Sequence, residues 1–156
     1  MHIILAAWAF LLGLQSAPSA VPVFADFPVR EVFRGSPAAP VLATPEARMF
    51  RTELRRQAAT GPNFAGFYTF AKWGCGAGCV TGAIIDVRTG QVWFPKFRVE
   101  DFMGAPGKVA LHHSSDFQLD SELVVAEGVI NEQGAGTAYF RWHAGAFQLI
   151  RFDRLR

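Results

Sequence analysis

An α+β fold is predicted for this chain: one N-terminal helix packed on a mainly antiparallel β-sheet, the sheet built from a β-hairpin and a C-terminal three-strand meander. Three observations predict it. Ala47, Phe50, Leu54 and Ala58 recur at three- and four-residue spacing, the mark of one apolar helix face. Beyond Gly61-Pro62 the chain becomes aromatic and β-branched, in short runs separated by glycine-bearing turns. Everything after the helix reads as strand and turn, so one helix laid on an antiparallel sheet is the simplest arrangement.

Residues 1–20 read as a secretory signal. Residues 3–14 are apolar with small interruptions, and residues 15–20 are small and polar. Cleavage fits after Ala20 or, with Val23 and Ala25 as the small-x-small pair, after Ala25. No Lys or Arg precedes the apolar run, which leaves a buried N-terminal helix as the alternative reading. The run is shorter than the ~20 residues that span a bilayer, so no membrane span is expected after cleavage. Residues 21–43 are rich in Pro, Ala and Val and read as a short extended segment near 29–33 followed by a linker.

Residues 44–156 read as a single α+β domain. Thr44 is a good N-cap, Pro45 fits the first helical position, and Glu46 favours the positive end of the helix dipole. Gly61-Pro62 stops the helix. Residues 64–73 and 80–87 read as strands, and Thr89-Gly90 turns the second of them into a hairpin with residues 91–94. Residues 96–116 read as irregular around Gly104, Pro106 and Gly107. Residues 122–130, 137–143 and 146–152 form the meander; in its middle strand Ala138, Phe140 and Trp142 share one face.

Composition narrows the function classes. Fifteen Lys and Arg against thirteen Asp and Glu leave no dense basic patch of the kind that, with stacking aromatics, binds nucleic acid. No cofactor is implied. Cys75 and Cys79 are the only cysteines, and in an oxidising compartment such a close pair is expected to form a disulfide. Gly74, Gly76 and Gly78 give the backbone the freedom that so short a closure needs. The loop, with Trp73 beside it, is either a recognition surface or a tight structural connection. A redox role fits poorly, because three residues intervene and strands flank both thiols. Zinc binding would need His112, His113 or His143 brought to the cysteines.

Two further groups carry possible chemistry. Arg48, Arg51 and Arg55 lie three and four apart on the helix, a stripe that either meets an anionic envelope component or forms the solvated face. His112-His113-Ser114-Ser115-Asp116 contains the residue types of a catalytic triad, but triads assemble in space from separated segments, and no Gly-x-Ser-x-Gly elbow is present.

Gly61-Pro62-Asn63-Phe64-Ala65-Gly66, Trp73-Gly74-Cys75-Gly76-x-x-Cys79 and Ile84-Ile85-Asp86 together resemble a family of small exported bacterial proteins of uncharacterised function. Residues 120–125 and the Tyr139-x-x-Trp142 run resemble it as well, so the likeness covers most of the chain from Thr44 onward. The resemblance implies export and a disulfide, and brings no activity with it. The expectation is therefore a periplasmic or secreted, non-catalytic binding or inhibitor-like module presenting the Cys75–Cys79 loop to a cell-envelope partner. The alternative is a small envelope hydrolase using a histidine with a carboxylate such as Asp116.

Overall fold

The computed structural model describes residues 20–76, 79–96, 99–100, 114–130 and 134–155. Thr44 caps as its sequence predicts: its Oγ1 accepts from the Ala47 N–H at 3.0 Å, with Pro45 in the first turn. The single helix expected after it is instead two, α1 (Pro45–Met49) and α2 (Arg51–Ala58). They divide at Phe50, whose φ of −97° and ψ of 18° leave the helical region. The Phe50 ring packs on Trp73 at 4.8 Å and reaches Phe94 at 6.3 Å. With no Gly or Pro at that point, this aromatic packing accounts for the break.

The strands form one antiparallel sheet. They are β1 (Tyr68–Gly76), β2 (Cys79–Asp86), β3 (Val92–Trp93), β4 (Val99–Glu100), β5 (Ser114–Phe117), β6 (Leu123–Ile130), β7 (Ala135–His143) and β8 (Ala146–Arg154). Their order is β1-β2-β4-β6-β7-β8, with β3 also on β2 and β5 also on β6. The expected hairpin is β2–β3 and the expected meander is β6–β7–β8. A second, longer hairpin joins β1 to β2 through the cysteine loop. The stretch read as irregular holds β4 and β5, short strands fixed by pairing with β6.

Side-chain alternation places the β1–β2 hairpin between two cores. Ala71, Ala83 and Ile85 face Ala47, Leu54 and Ala58 of the helices. Phe70 and Ile84 point the other way, into a cluster with Phe64, Val124, Ala126, Ala138, Phe140 and Trp142. Phe70 of β1 lies 6.0 Å from Phe147 of β8, so the sheet curls until strands from its two ends share one core. In β8, Phe147 and Phe152 both pack against this core although their odd separation would put them on opposite faces of a regular strand. A register shift opposite Tyr139/Phe140 supplies the extra residue that returns both rings to the same side.

Edge strand β1 has its outward backbone groups met by side-chain amides. Gln57 of α2 accepts from the Lys72 N–H at 3.0 Å and donates to the Lys72 carbonyl at 2.9 Å. Asn63 does the same for Phe70, at 2.7 and 3.4 Å.

The N-terminal segment, part of which reads as a linker, is tied across this frame. Pro28 bridges Ser121, the Val29 N–H donates to Asp120, Phe33 to Gly66, Ala38 to Val87 and Val41 to Gly90. Buried Ser121 fastens its start, donating to the Phe24 carbonyl at 2.9 Å and accepting from the Leu123 N–H. Proline suits this strap, because a segment that crosses loops does not need every N–H for a ladder.

Candidate functional site

The cysteine loop is the tip of the β1–β2 hairpin. Trp73 is half-buried, while Gly74, Cys75 and Gly76 are exposed. Gly74 pairs with Val80 and Gly76 with Cys79, leaving Cys75 as the extra residue of a bulge. Gly78 lies outside the described residues. Trp73 roots the tip against Phe50 and Phe94, at 4.8 and 6.4 Å, and its buried Nε1 has no hydrogen-bond partner among the described residues.

The arginines do not converge. Arg48 donates to the Leu42 and Ala43 carbonyls at 3.2 and 2.8 Å, and Arg51 donates to the Arg48 carbonyl at 3.2 Å. Arg55 is exposed on the same helix pair. Two of the three thus bind the chain's own backbone, as a solvated helix face does.

His112 and His113 lie outside the described residues. His143 is exposed at the end of β7. Asp116 stands opposite Val125, whose partner on β7 is Tyr139, four positions short of His143. The described residues hold no cluster of three His, Cys, Asp or Glu able to bind a metal ion, and no described helix is long and apolar enough to cross a membrane. A largely buried ion pair is structural: Asp86 receives the Arg88 side chain at 2.8 and 3.1 Å and the Arg88 N–H at 2.8 Å, locking the turn after β2. The Arg88 guanidinium lies 3.3 Å from the Phe67 ring centre.

A concavity lies elsewhere. A cavity of about 460 Å³ lies between the end of β3 and the β7–β8 turn. Its walls are Trp93, Phe94 and Pro95 on one side and Phe140, Trp142 and Phe147 on the other; Lys96, Ile130, Gly145, Ala146 and Leu149 complete it. Its volume falls in the range of small-molecule sites, roughly 300–1,000 Å³. The aromatic wall is mutually braced: Trp142 lies 4.9 Å from Phe147, 5.8 Å from Trp93 and 5.4 Å from Tyr68. Trp142 is buried, and its indole interacts with the Tyr68 hydroxyl behind the wall. The curl of the sheet makes this space, because it brings β3 against the β7–β8 turn.

Behind the wall, burial pushes the Tyr68 phenol above its ordinary 10.0; the nearby Asp86 and Glu122 carboxylates push the same way, and Trp142 and Arg88 partly offset them. The folded state therefore holds this proton longer than the unfolded state. Its stabilising contribution is complete below the unfolded pKa near 10 and is lost as pH rises through the higher folded value. Absorbance titration at 295 nm should show one tyrosine ionising late, and Tyr68→Phe should remove that late step. A late step surviving in the variant would assign it to the other tyrosine.

Sequence reasoning missed the cavity. Its walls come from residues 93–96, 130 and 140–149, and only the abundance of aromatics in two of these stretches pointed to it. Comparison with family models, curated proteins and solved structures finds no match to this chain. What its own fold and site define is a curled antiparallel β-protein with two short helices on one face and an aromatic-walled cavity on the other.

Proposed function

We propose that this is an exported, non-catalytic binding module whose ligand occupies the aromatic-walled cavity. One observation carries the reading: the cavity is ligand-sized, and no nucleophile, carboxylate or imidazole is among its described lining residues. Export rests on the apolar run at residues 3–14 and on the spacing of Cys75 and Cys79, and it places the module in the periplasm or outside the cell. The test is titration with N-phenyl-1-naphthylamine, a neutral apolar fluorophore. Saturable binding in the micromolar range is expected, with quenching of protein tryptophan fluorescence. Ala146→Phe fills the cavity from an exposed position and should abolish binding without lowering the melting temperature. Unsaturable binding, or equal binding by the variant, overturns the reading.

The hairpin tip supports a second, inhibitor-like reading. Exposure rises from a rooted Trp73 to exposed Gly74, Cys75 and Gly76, the form of a presented loop, and no free cysteine occurs among the described residues. A Cys75–Cys79 disulfide across so few residues contributes about 2 kcal/mol in the chain-entropy model. Replacing both cysteines by serine should therefore leave a folded protein with a lower melting temperature. If the tip recognises an envelope partner, that protein should lose the partner in a pull-down, because a floppy loop must be ordered on contact. Undiminished capture would make the tip a structural connection.

A further inference from the structure

The described side chains lining the cavity offer hydrogen-bond donors and no acceptor. Their polar atoms are the indole N–H groups of Trp93 and Trp142 and the ammonium of Lys96; the other lining side chains are apolar. Trp142 is 3 % exposed and its indole already acts on the Tyr68 hydroxyl behind the wall, which leaves the Lys96 ammonium as the charged donor a ligand can meet. Lys96 is exposed, makes no ion pair with any described residue, and is the one charged residue among the described lining residues. A cationic ligand would suit the aromatic wall through cation–π attraction, but it would also face Lys96 with no carboxylate among the described lining residues to offset the repulsion. A neutral hydrocarbon would leave the Lys96 ammonium unanswered.

We propose that the cavity binds an amphipathic carboxylate, its aliphatic or aromatic body against Phe140, Trp142 and Phe147 and its anionic head toward Lys96. This rests on the binding reading above and names its ligand class. Apolar burial supplies the affinity; the charge-assisted contact with Lys96 supplies the selectivity.

The experiment is displacement of N-phenyl-1-naphthylamine from the full mature protein by decanoate, decan-1-ol and decyltrimethylammonium, three ligands that share a chain and differ in the head. Decanoate should displace the probe at about tenfold lower concentration than decan-1-ol, as a charge-assisted hydrogen bond at a partly wet rim allows. Decyltrimethylammonium should be the weakest. Raising the salt concentration should weaken decanoate and leave decan-1-ol unchanged. Lys96→Ala, checked for folding by circular dichroism, should bring decanoate and decan-1-ol within about twofold of each other. If the probe binds but decanoate has no advantage, or the advantage survives Lys96→Ala, the ligand class is wrong while the binding site stands. If the probe does not bind the wild-type protein, both readings fall together.

Discussion

Replacing Phe64 by alanine should lower the unfolding free energy by about 3–5 kcal/mol, the usual cost of deleting a fully buried ring. Phe64 is 0 % exposed. Its ring lies 5.9 Å from Phe70 on β1, 5.9 Å from Phe117 on β5 and 6.2 Å from Phe147 on β8. It thus fills the space where the curled sheet closes on itself. Those three strands are held by their own ladders, so none can move in to fill the hole. For a domain stabilised by about 5–15 kcal/mol the loss is a large share of the total. The melting temperature should fall by on the order of 10 °C or more. Urea denaturation followed by tryptophan fluorescence measures it; a loss below about 1.5 kcal/mol, the scale of a tolerated core swap, would show that the core closes without this ring.

Gly66→Ala should be the other severe substitution, and for a different reason. Gly66 sits at φ +81°, a left-handed conformation that costs an L-residue about 1–2 kcal/mol. A Cβ there would also collide with the Glu31 carbonyl oxygen in the N-terminal strap. The same glycine accepts from the Phe33 N–H at 2.9 Å and donates to Leu119, so it is where three segments cross. Gly61 provides the control: it has a similar φ of +85°, and nothing lies within 4 Å of where its Cβ would be. Gly61→Ala should cost only the backbone term. Gly66→Ala should cost more and should expose the strap to limited proteolysis near residues 28–36. Equal destabilisation by the two, with the strap still protected, would remove the collision from the account.

Both substitutions fall in Asn63-Phe64-Ala65-Gly66, one of the runs that stood out in the sequence, and the structure gives each residue a physical task. Asn63 meets the backbone of Phe70, Phe64 fills the core, and Gly66 admits the strap. Ala65 is buried at φ +43°, where a larger side chain would find little room. The helix start, the hairpin at Thr89-Gly90 and the meander were legible because capping, turn chemistry and alternation are local signals. The break at Phe50 was not, since its cause is a pair of rings on β1 and beyond β3. Strand β5 was not either: Ser-Ser-Asp-Phe has little strand character, and it is a strand because β6 offers it a partner. The strap resembles a linker in composition, and only the positions of its distant acceptors distinguish the two. The cavity is the extreme case, having no local pattern, only an excess of tryptophan and phenylalanine that a simple core would also explain.

The amides of Gln57 and Asn63 on β1 have a consequence for how molecules meet one another. A bare strand edge is a template on which another chain can polymerise. Each primary amide carries both donor and acceptor atoms, so these two side chains imitate two rungs of a neighbouring strand that the fold does not supply. An incoming edge finds those rungs occupied. By the alternation of the strand, the next outward-facing position is Gly74, close to where the hairpin ends. That leaves a stretch too short to seed a stack, so the two amides, together with Lys72 as the charged residue of β1, keep the edge from recruiting copies of itself without a proline on the strand.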